Sequence, residues 1–170
     1  RYDFSHIDAY KYYRTSLWEA RNYDELFPEF VVEDLGLNTL TNPKFDFHNI
    51  SSNIGLKYSI NNSENIFFNY SMSSRKPNPS ELFSEGLHHS SARIEIGDLS
   101  FNSEVGHNFS LTYDSSNEKS SLVVNTFANL VDDFIYMIPV DLMPTIAGVF
   151  PYWEYKQEDA KLFGFDVKYD

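Results

Sequence analysis

The stretch LSFNSEVGHNFSLTYD, residues 99–114, alternates large apolar residues with small or polar ones. The apolar positions are Leu99, Phe101, Val105, Phe109, Leu111 and Tyr113, and the positions between them include Asn102, Glu104, Gly106, Asn108, Ser110 and Thr112. Successive side chains of a β-strand point to opposite faces, so this pattern predicts one strand with an apolar and a polar face. A strand of about 15 residues spans roughly 50 Å, well beyond the usual length in soluble sheets.

The same alternation recurs along the chain and predicts six strands, at residues 1–14, 47–60, 65–74, 99–114, 119–138 and 152–169. Tight turns near residues 61–63 and 115–117 alternate with three long connections that hold most of the prolines. Short turns at one end and long loops at the other predict an all-β, antiparallel up-and-down meander whose two ends differ.

Composition excludes several classes of protein. The chain has 170 residues and a formal net charge of −12, which makes nucleic acid an unsuitable partner. It has no cysteine, so disulfide scaffolds and thiolate metal sites are excluded. The apolar region at residues 137–153 contains three prolines and Asp141, which excludes a transmembrane helix there. Because the chain begins and ends inside alternating runs, we expect it to be a piece of a longer polypeptide.

Alternation alone leaves two architectures open. The apolar face is either the core of a soluble sandwich or the lipid-facing surface of a transmembrane barrel. Counted from the short turns, five aromatic residues of the apolar faces fall at about one level, as a membrane interface would select: Phe4, Tyr58, Phe68, Tyr113 and Tyr169. His107 is the exception on the apolar face, and it is expected either to be neutral or to mark a β-bulge at Gly106.

Three stretches resemble recurring segments of TonB-dependent outer-membrane receptors. In residues 75–113, an Arg-x-Pro, a Glu-Leu-Phe, a Gly-x-His and a Gly-Asp precede a strand that carries a glutamate. The matching positions are Arg75, Pro77, Glu81, Leu82, Phe83, Gly86, His88, Gly97, Asp98 and Glu104. A recurring Gln-x-Asp-Ala-x-x-x-Gly-Phe-Glu strand matches at Gln157, Asp159, Ala160, Gly164, Phe165 and Asp166, with aspartate in place of the final glutamate, and RYDFSHIDA at residues 1–9 also fits.

The resemblance implies that the six strands form an arc of a large transmembrane β-barrel of about 22 strands, without its plug domain. Such receptors import metals, siderophores or haem-type ligands across the bacterial outer membrane. The implied partners are outer-membrane lipid, a small ligand and the TonB energy-coupling system, reached through parts of the protein outside this chain. No resident cofactor is implied, and zinc or haem would be transported ligands.

On this interpretation residues 75–98 form an extracellular loop, where ligands are first captured. The segment GLHHSSARIEIGD is most similar to receptors for zinc or haem, so His88 and His89 are candidate metal ligands, with Glu81 and Glu85 as ligand-loop candidates. Adjacent histidines of an extended chain point in opposite directions, so one of them would act with a glutamate or with His48. The alternative is a solvated loop.

Charged residues of the strands are assigned structural roles. Arg75 is expected to pair with Glu104 on the polar, channel-facing side. The excess of acidic residues would favour cationic or metal-bearing ligands, although surface carboxylates also serve solubility.

Two further functions compete with transport. The first is a secreted β-sandwich adhesin or glycan-binding domain that uses aromatic loops such as PYWEY at residues 151–155. The second is a hydrolase. The sequence lacks Gly-x-Ser-x-Gly, His-Glu-x-x-His and glycine-rich phosphate-loop motifs, so we expect no enzymatic activity.

Overall fold

The computed structural model describes residues 1–170. Its strands are β1 Tyr2–Asp8, β2 Lys11–Arg14, β3 Val31–Asp34, β4 Asn38–Thr41, β5 Lys44–Ile50, β6 Ser52–Ser59, β7 Glu64–Arg75, β8 Glu85–His88, β9 Arg93–Ile96, β10 Glu104–Ser116, β11 Ser121–Thr145 and β12 Gly148–Tyr169. Its helices are α1 Thr15–Ala20, α2 Tyr23–Leu26 and α3 Pro79–Phe83, with a 3-10 turn at Pro28–Phe30. None of these helices has the length and apolar character needed to cross a membrane.

The long strands form the predicted meander. Strands β5 and β6 follow one another across Ser51, whose backbone N–H donates to Arg1 O at 2.9 Å. Strand β1 pairs with β5 in a two-stranded antiparallel sheet. The larger sheet runs antiparallel through β6, β7, β10, β11 and β12, and the short strands β9 and β8 follow at the end of β12. The expected fold class is therefore confirmed, and the sheet is open at both edges.

The register places bulky side chains on one face of this sheet. Phe109 of β10 lies between Tyr70 and Ala128 on the neighbouring strands, and the next rows place Leu111 beside Phe68 and Tyr113 beside Ile66. This apolar face is exposed to a degree unusual for large side chains, with 73% of Phe165 accessible. The opposite face, here called the polar face, carries mostly small and polar residues such as Ser110 and Gly164, together with the rings of Phe67 and Phe127.

The structure answers the question raised by His107. No bulge occurs at Gly106, because β10 keeps an unbroken register with both β7 and β11. His107 therefore lies on the apolar face, where its Nδ1 is 2.9 Å from the Tyr70 hydroxyl and the two rings stack. The register shifts lie in β11 instead, between Val131 and Phe134 and between Pro139 and Asp141.

Four of the five aromatic residues predicted at about one level lie within one row of a common level, and Phe4 does not. Tyr58 and Tyr113 both lie opposite Ile66 and so share a row. Phe68 and Tyr169 lie one row to either side of it. Phe4 pairs with His48 of β5, which lies well before Tyr58 of β6 along these two consecutive strands, so the prediction was wrong for Phe4. Counting from the short turns misplaced it because Arg1 and Tyr2 lie beside Ser51 and Ile50, at the junction of β5 and β6, and not at the level of the short turn that follows β6.

The long-loop end also departs from the predicted bounds. Residues 139–151 were expected to be a loop, but β11 and β12 continue through them as a hairpin to a two-residue turn at Ile146–Ala147. Pro139 and Pro144 are tolerated in β11 because its pairing with β10 ends at Asp132, which leaves that part of β11 with one edge free. Strand β10 begins at Glu104 rather than Leu99, because Leu99 and Phe101 are buried among the loops.

Candidate functional site

The two long loops, residues 9–43 and 76–103, fold into one packed body at one end of the sheet. Its buried centre, here called the loop core, combines loop side chains with one residue each from β5 and β11: Tyr13, Trp18, Tyr23, Phe30, Phe47, Leu82, Leu99, Phe101 and Ile135. Several of these rings meet edge to face, such as Trp18 and Tyr23 at 5.0 Å. The loop end is therefore a folded structure held against the strands.

Helix α3 is fixed by charge as well as by packing. A capping box joins Asn78 and Glu81 at its N-terminus. The Glu81 carboxylate also accepts a bond from Arg75 Nη1 at 2.9 Å, while Arg75 Nε donates to Glu104 Oε2 at 2.6 Å. The other oxygen of Glu104 accepts the backbone N–H of Ile135 at 2.6 Å. Arg75 and Glu104, paired in the sequence analysis, thus lie together and connect β7, α3, β10 and β11.

The segment after β9 passes directly over α3. A Cβ atom at Gly97 would lie only 2.6 Å from the carbonyl oxygen of Glu81, so only glycine fits this crossing. The next backbone N–H, that of Asp98, donates to the same Glu81 carbonyl at 2.9 Å. This close approach gives a physical reason for the Gly-Asp pair in the sequence.

Asp98 then joins the second loop to the first and to the β11–β12 hairpin. Arg21 of the first loop contacts Asp98 Oδ2 through Nη1 and Glu154 Oε1 through Nη2, both at 3.3 Å. The Tyr23 hydroxyl donates to Asp98 Oδ1 and accepts the backbone N–H of Leu99 at 3.0 Å. Burial raises the pKa of the Tyr23 hydroxyl, and the charge of Asp98 raises it further.

The pKa of the Glu154 carboxyl is lower than its ordinary value. Burial alone would raise this pKa, but hydrogen bonds from Lys156 and Tyr152 and the charge of Arg21 outweigh it. Lys156 Nζ lies 2.8 Å from Glu154 Oε2. Glu154 is therefore ionised at neutral pH and serves as an anionic anchor for the first loop.

The histidines proposed as metal ligands do not converge. Both histidines are exposed, and His88 Nδ1 lies 2.8 Å from the Ser91 hydroxyl and 3.5 Å from Glu95. Glu81 is bound by Arg75 and the cap of α3, and His48 lies beside Tyr2. Nowhere in residues 1–170 do three or more His, Asp or Glu side chains form a group suited to a metal ion.

Glu85, the remaining predicted residue, lies in a different environment. Its side chain is almost completely buried, and its Oε1 accepts bonds from Arg14 Nε at 2.9 Å and from the backbone N–H of Arg14. Lys11 Nζ approaches the other oxygen at 4.0 Å. Arg14 and Lys11 belong to β2 of the first loop, so Glu85 joins the two loops.

These three charges border a cavity of about 460 Å³ that the sequence analysis missed. The first loop, the β8–β9 segment and the tip of the β11–β12 hairpin all contribute to its wall: Lys11, Tyr12, Arg14, Glu85, Gly86, Leu87, Ile94, Met143 and Thr145. Its position depends on β9, which pairs in parallel with β12 at residues 152–154. The only sequence signal was the KYYR motif at residues 11–14, two cations in an acidic chain.

Three solved bacterial receptors share the fold at 15% sequence identity. The siderophore receptor PirA from Pseudomonas aeruginosa matches with a TM-score of 0.55 over 76% of this chain and 27% of its own. A mutant of the ferric enterobactin receptor PfeA from the same organism matches with a TM-score of 0.50 over 76% of this chain and 21% of its own. A double mutant of the Serratia marcescens hemophore receptor HasR, in complex with its hemophore HasA and heme, matches with a TM-score of 0.52 over 99% of this chain and 28% of its own.

The chain therefore spans between 21% and 28% of the length of these receptors. No curated protein sequence gives a significant match. The family model described as the β-barrel of TonB dependent receptor-like proteins matches residues 1–170, the whole chain. Its match to the open meander and the loop end just described shows that the chain belongs to the TonB-dependent receptor β-barrel family.

Proposed function

We propose that this chain forms part of the barrel of a bacterial outer-membrane receptor that imports a metal, siderophore or haem-type ligand with energy supplied through TonB. The membership of the chain in a family of outer-membrane transporters supports this role and supports a non-catalytic one. The ligand named for each structural neighbour belongs to that neighbour. For this chain, zinc or haem as ligand stays a prediction from the sequence.

One observation carries the proposal: burial is reversed between the strands and the loops. Large side chains of the apolar face are exposed along the meander, while the loops hold a packed core. An exposed apolar face of this extent is unstable in water and stable against lipid hydrocarbon. The loops, which contain the polar contacts, are suited to water and to ligand capture.

The β-sandwich alternative requires the apolar face to meet a second sheet. In the structure no second layer covers it, and side chains such as Leu56 and Phe163 remain exposed. The additional three-stranded sheet, β2-β4-β3, belongs to the first loop. This arrangement favours the barrel over the adhesin.

The orientation can be tested with single cysteines, because the chain contains none. In cells that produce the complete receptor, Ala147→Cys at the hairpin tip should react with a bulky, membrane-impermeant maleimide. Asn62→Cys in the opposite short turn should react only after the outer membrane is opened. Equal labelling of both in intact cells would contradict the proposed orientation.

Uptake is tested in the same cells with radiolabelled ferric siderophores, haem and zinc. At least one of these should accumulate when both the receptor and TonB are present, and not when either is deleted. Accumulation that is independent of TonB for all three would contradict energy-coupled import.

A further inference from the structure

The cavity between the three loop-end segments contains unused cationic donors. Arg14 donates to Glu85 through Nε and its backbone N–H, and the structure shows no hydrogen bond from its two terminal nitrogens. Lys11 Nζ has no hydrogen bond and reaches Glu85 only at 4.0 Å. One buried carboxylate thus faces two cations, so the cavity has a net positive charge in a chain of −12.

The two cations are held in place for ligand binding. Glu85 bonds the Nε edge of the Arg14 guanidinium and its backbone, which directs the terminal nitrogens away from that carboxylate. A guanidinium with two free parallel N–H groups matches the two oxygens of a carboxylate. The Lys11 side chain lies over the Tyr13 ring, with Nζ 5.6 Å from its centre, which limits its freedom.

The remainder of the wall is largely apolar. Leu87 and Ile94 come from the β8–β9 segment, and Met143 comes from the β11–β12 hairpin. A cavity of about 460 Å³ is within the range that holds small molecules. Methionine adapts its shape to irregular ligands, which suits a wall contributed by a projecting hairpin.

We propose that this cavity, formed by Lys11, Arg14 and the apolar wall at Leu87, Ile94 and Met143, binds a carboxylate-bearing chelate with a largely apolar body. The proposal rests on the transport function proposed above and specifies its ligand class. It differs from the expectation drawn from net charge, which favoured cationic ligands. The local charge at the cavity, rather than the charge of the whole chain, determines which ion is attracted.

Charge substitutions of opposite sign test this proposal in the complete purified receptor in detergent. Haemin is the probe, because it combines two carboxylates with an apolar ring, and its binding is followed by absorbance. Lys11→Gln with Arg14→Gln should weaken haemin binding by roughly tenfold or more, as expected when hydrogen bonds to charged groups are lost. Glu85→Gln should strengthen haemin binding, because its amide oxygen can still accept the bonds from Arg14 while the negative charge of the cavity is removed.

Matched control variants isolate the contribution of the cavity to haemin binding. Lys44→Gln removes one cation next to the same loop without touching the cavity, and it should leave haemin binding unchanged. Met143→Gln, which makes this wall polar without adding charge, should weaken haemin binding but affect ferric citrate, a carboxylate chelate without an apolar body, much less. Zinc ion alone, titrated by calorimetry, should not bind in competition with haemin.

Three results would overturn the proposal. These are no haemin binding by the unaltered receptor, haemin binding unaffected by Lys11→Gln with Arg14→Gln, and zinc binding that Glu85→Gln abolishes. TonB-dependent uptake, measured separately, distinguishes a failure of the ligand site from a failure of the transport function. If TonB-dependent uptake persists while haemin binding is unaffected by the cavity substitutions, only the proposed ligand site is wrong. If TonB-dependent uptake is absent, the proposed transport function is wrong.

Discussion

The loop end and the meander of this protein bury their apolar residues in opposite ways. Leu82 and Tyr23, in loops, each have 1% of their surface exposed, whereas Phe163 and Phe165, in regular strands, have 66% and 73% exposed. Secondary structure thus does not indicate where the core lies. The two loops bury one another's apolar side chains, whereas the strands need a surrounding apolar medium to cover their apolar face.

The largest expected effect comes from truncating the loop core. Leu82→Ala should lower the free energy of unfolding of the loop end by about 2–5 kcal/mol, because it leaves a cavity in packed surroundings. Phe163→Ala, in detergent, should change that free energy very little, since Phe163 contacts no part of the loop core. Hydrogen exchange of the loop amides in the complete receptor measures both. Equal loss of protection would mean that loops and meander unfold as one unit.

Two adjacent residues of β10 test the strand side of the comparison. Leu111 lies on the apolar face and Ser110 on the polar face. Leu111→Arg should destabilise the inserted barrel by about 2–4 kcal/mol, because it places a charge against hydrocarbon. Ser110→Arg should be tolerated, because its side chain faces the channel. Assembly into the outer membrane, measured by heat-modifiable migration of the complete receptor, should separate the two variants, and identical behaviour would contradict the assigned faces.

The ion pairs of Arg75 lie where the loop end meets the meander, here called the junction, and test how firmly the two regions are joined. Arg75→Ala leaves Glu81 and Glu104, both nearly buried, without their cation, and should cost about 1–3 kcal/mol in loop-end stability. Arg1→Ala removes an arginine from an exposed pair with Asp3 and should cost close to nothing. The temperature at which the loop end becomes sensitive to limited proteolysis, measured for each variant, compares the two losses of stability. A larger loss for Arg1→Ala would exclude a junction role for Arg75.

The smallest effect is a dependence on pH at Glu154. Since its pKa in the folded protein is below the ordinary value, its stabilising contribution is present above the ordinary pKa of a glutamate. That contribution is lost as the pH falls through the lowered pKa. Proteolysis of the first loop should therefore accelerate in acid, and Glu154→Gln should reduce that acceleration. If proteolysis accelerates equally in acid in Glu154→Gln, then carboxylates other than Glu154 cause the acceleration.

Alternation predicted the faces of the strands because it is a local property of extended backbone. Phe109, Leu111 and Tyr113 lie on the face expected for them, and Gly164 lies on the polar face beneath the Phe127 ring, where a Cβ would overlap that ring. The same pattern includes Leu99 and Phe101, which are in the loop core instead. Period-2 spacing cannot distinguish a side chain that faces lipid from one buried by another loop.

What the sequence determined by itself was the order of six antiparallel strands and the resemblance of its motifs, since both depend on neighbours along the chain. Tertiary structure decided the rest. Arg14 contacts Glu85, which is 71 positions away in the sequence. Met143 lines the same cavity because residues 139–151, whose prolines predicted a loop, form a hairpin instead. Contacts between residues so far apart arise from how whole loops pack, and no local pattern records them.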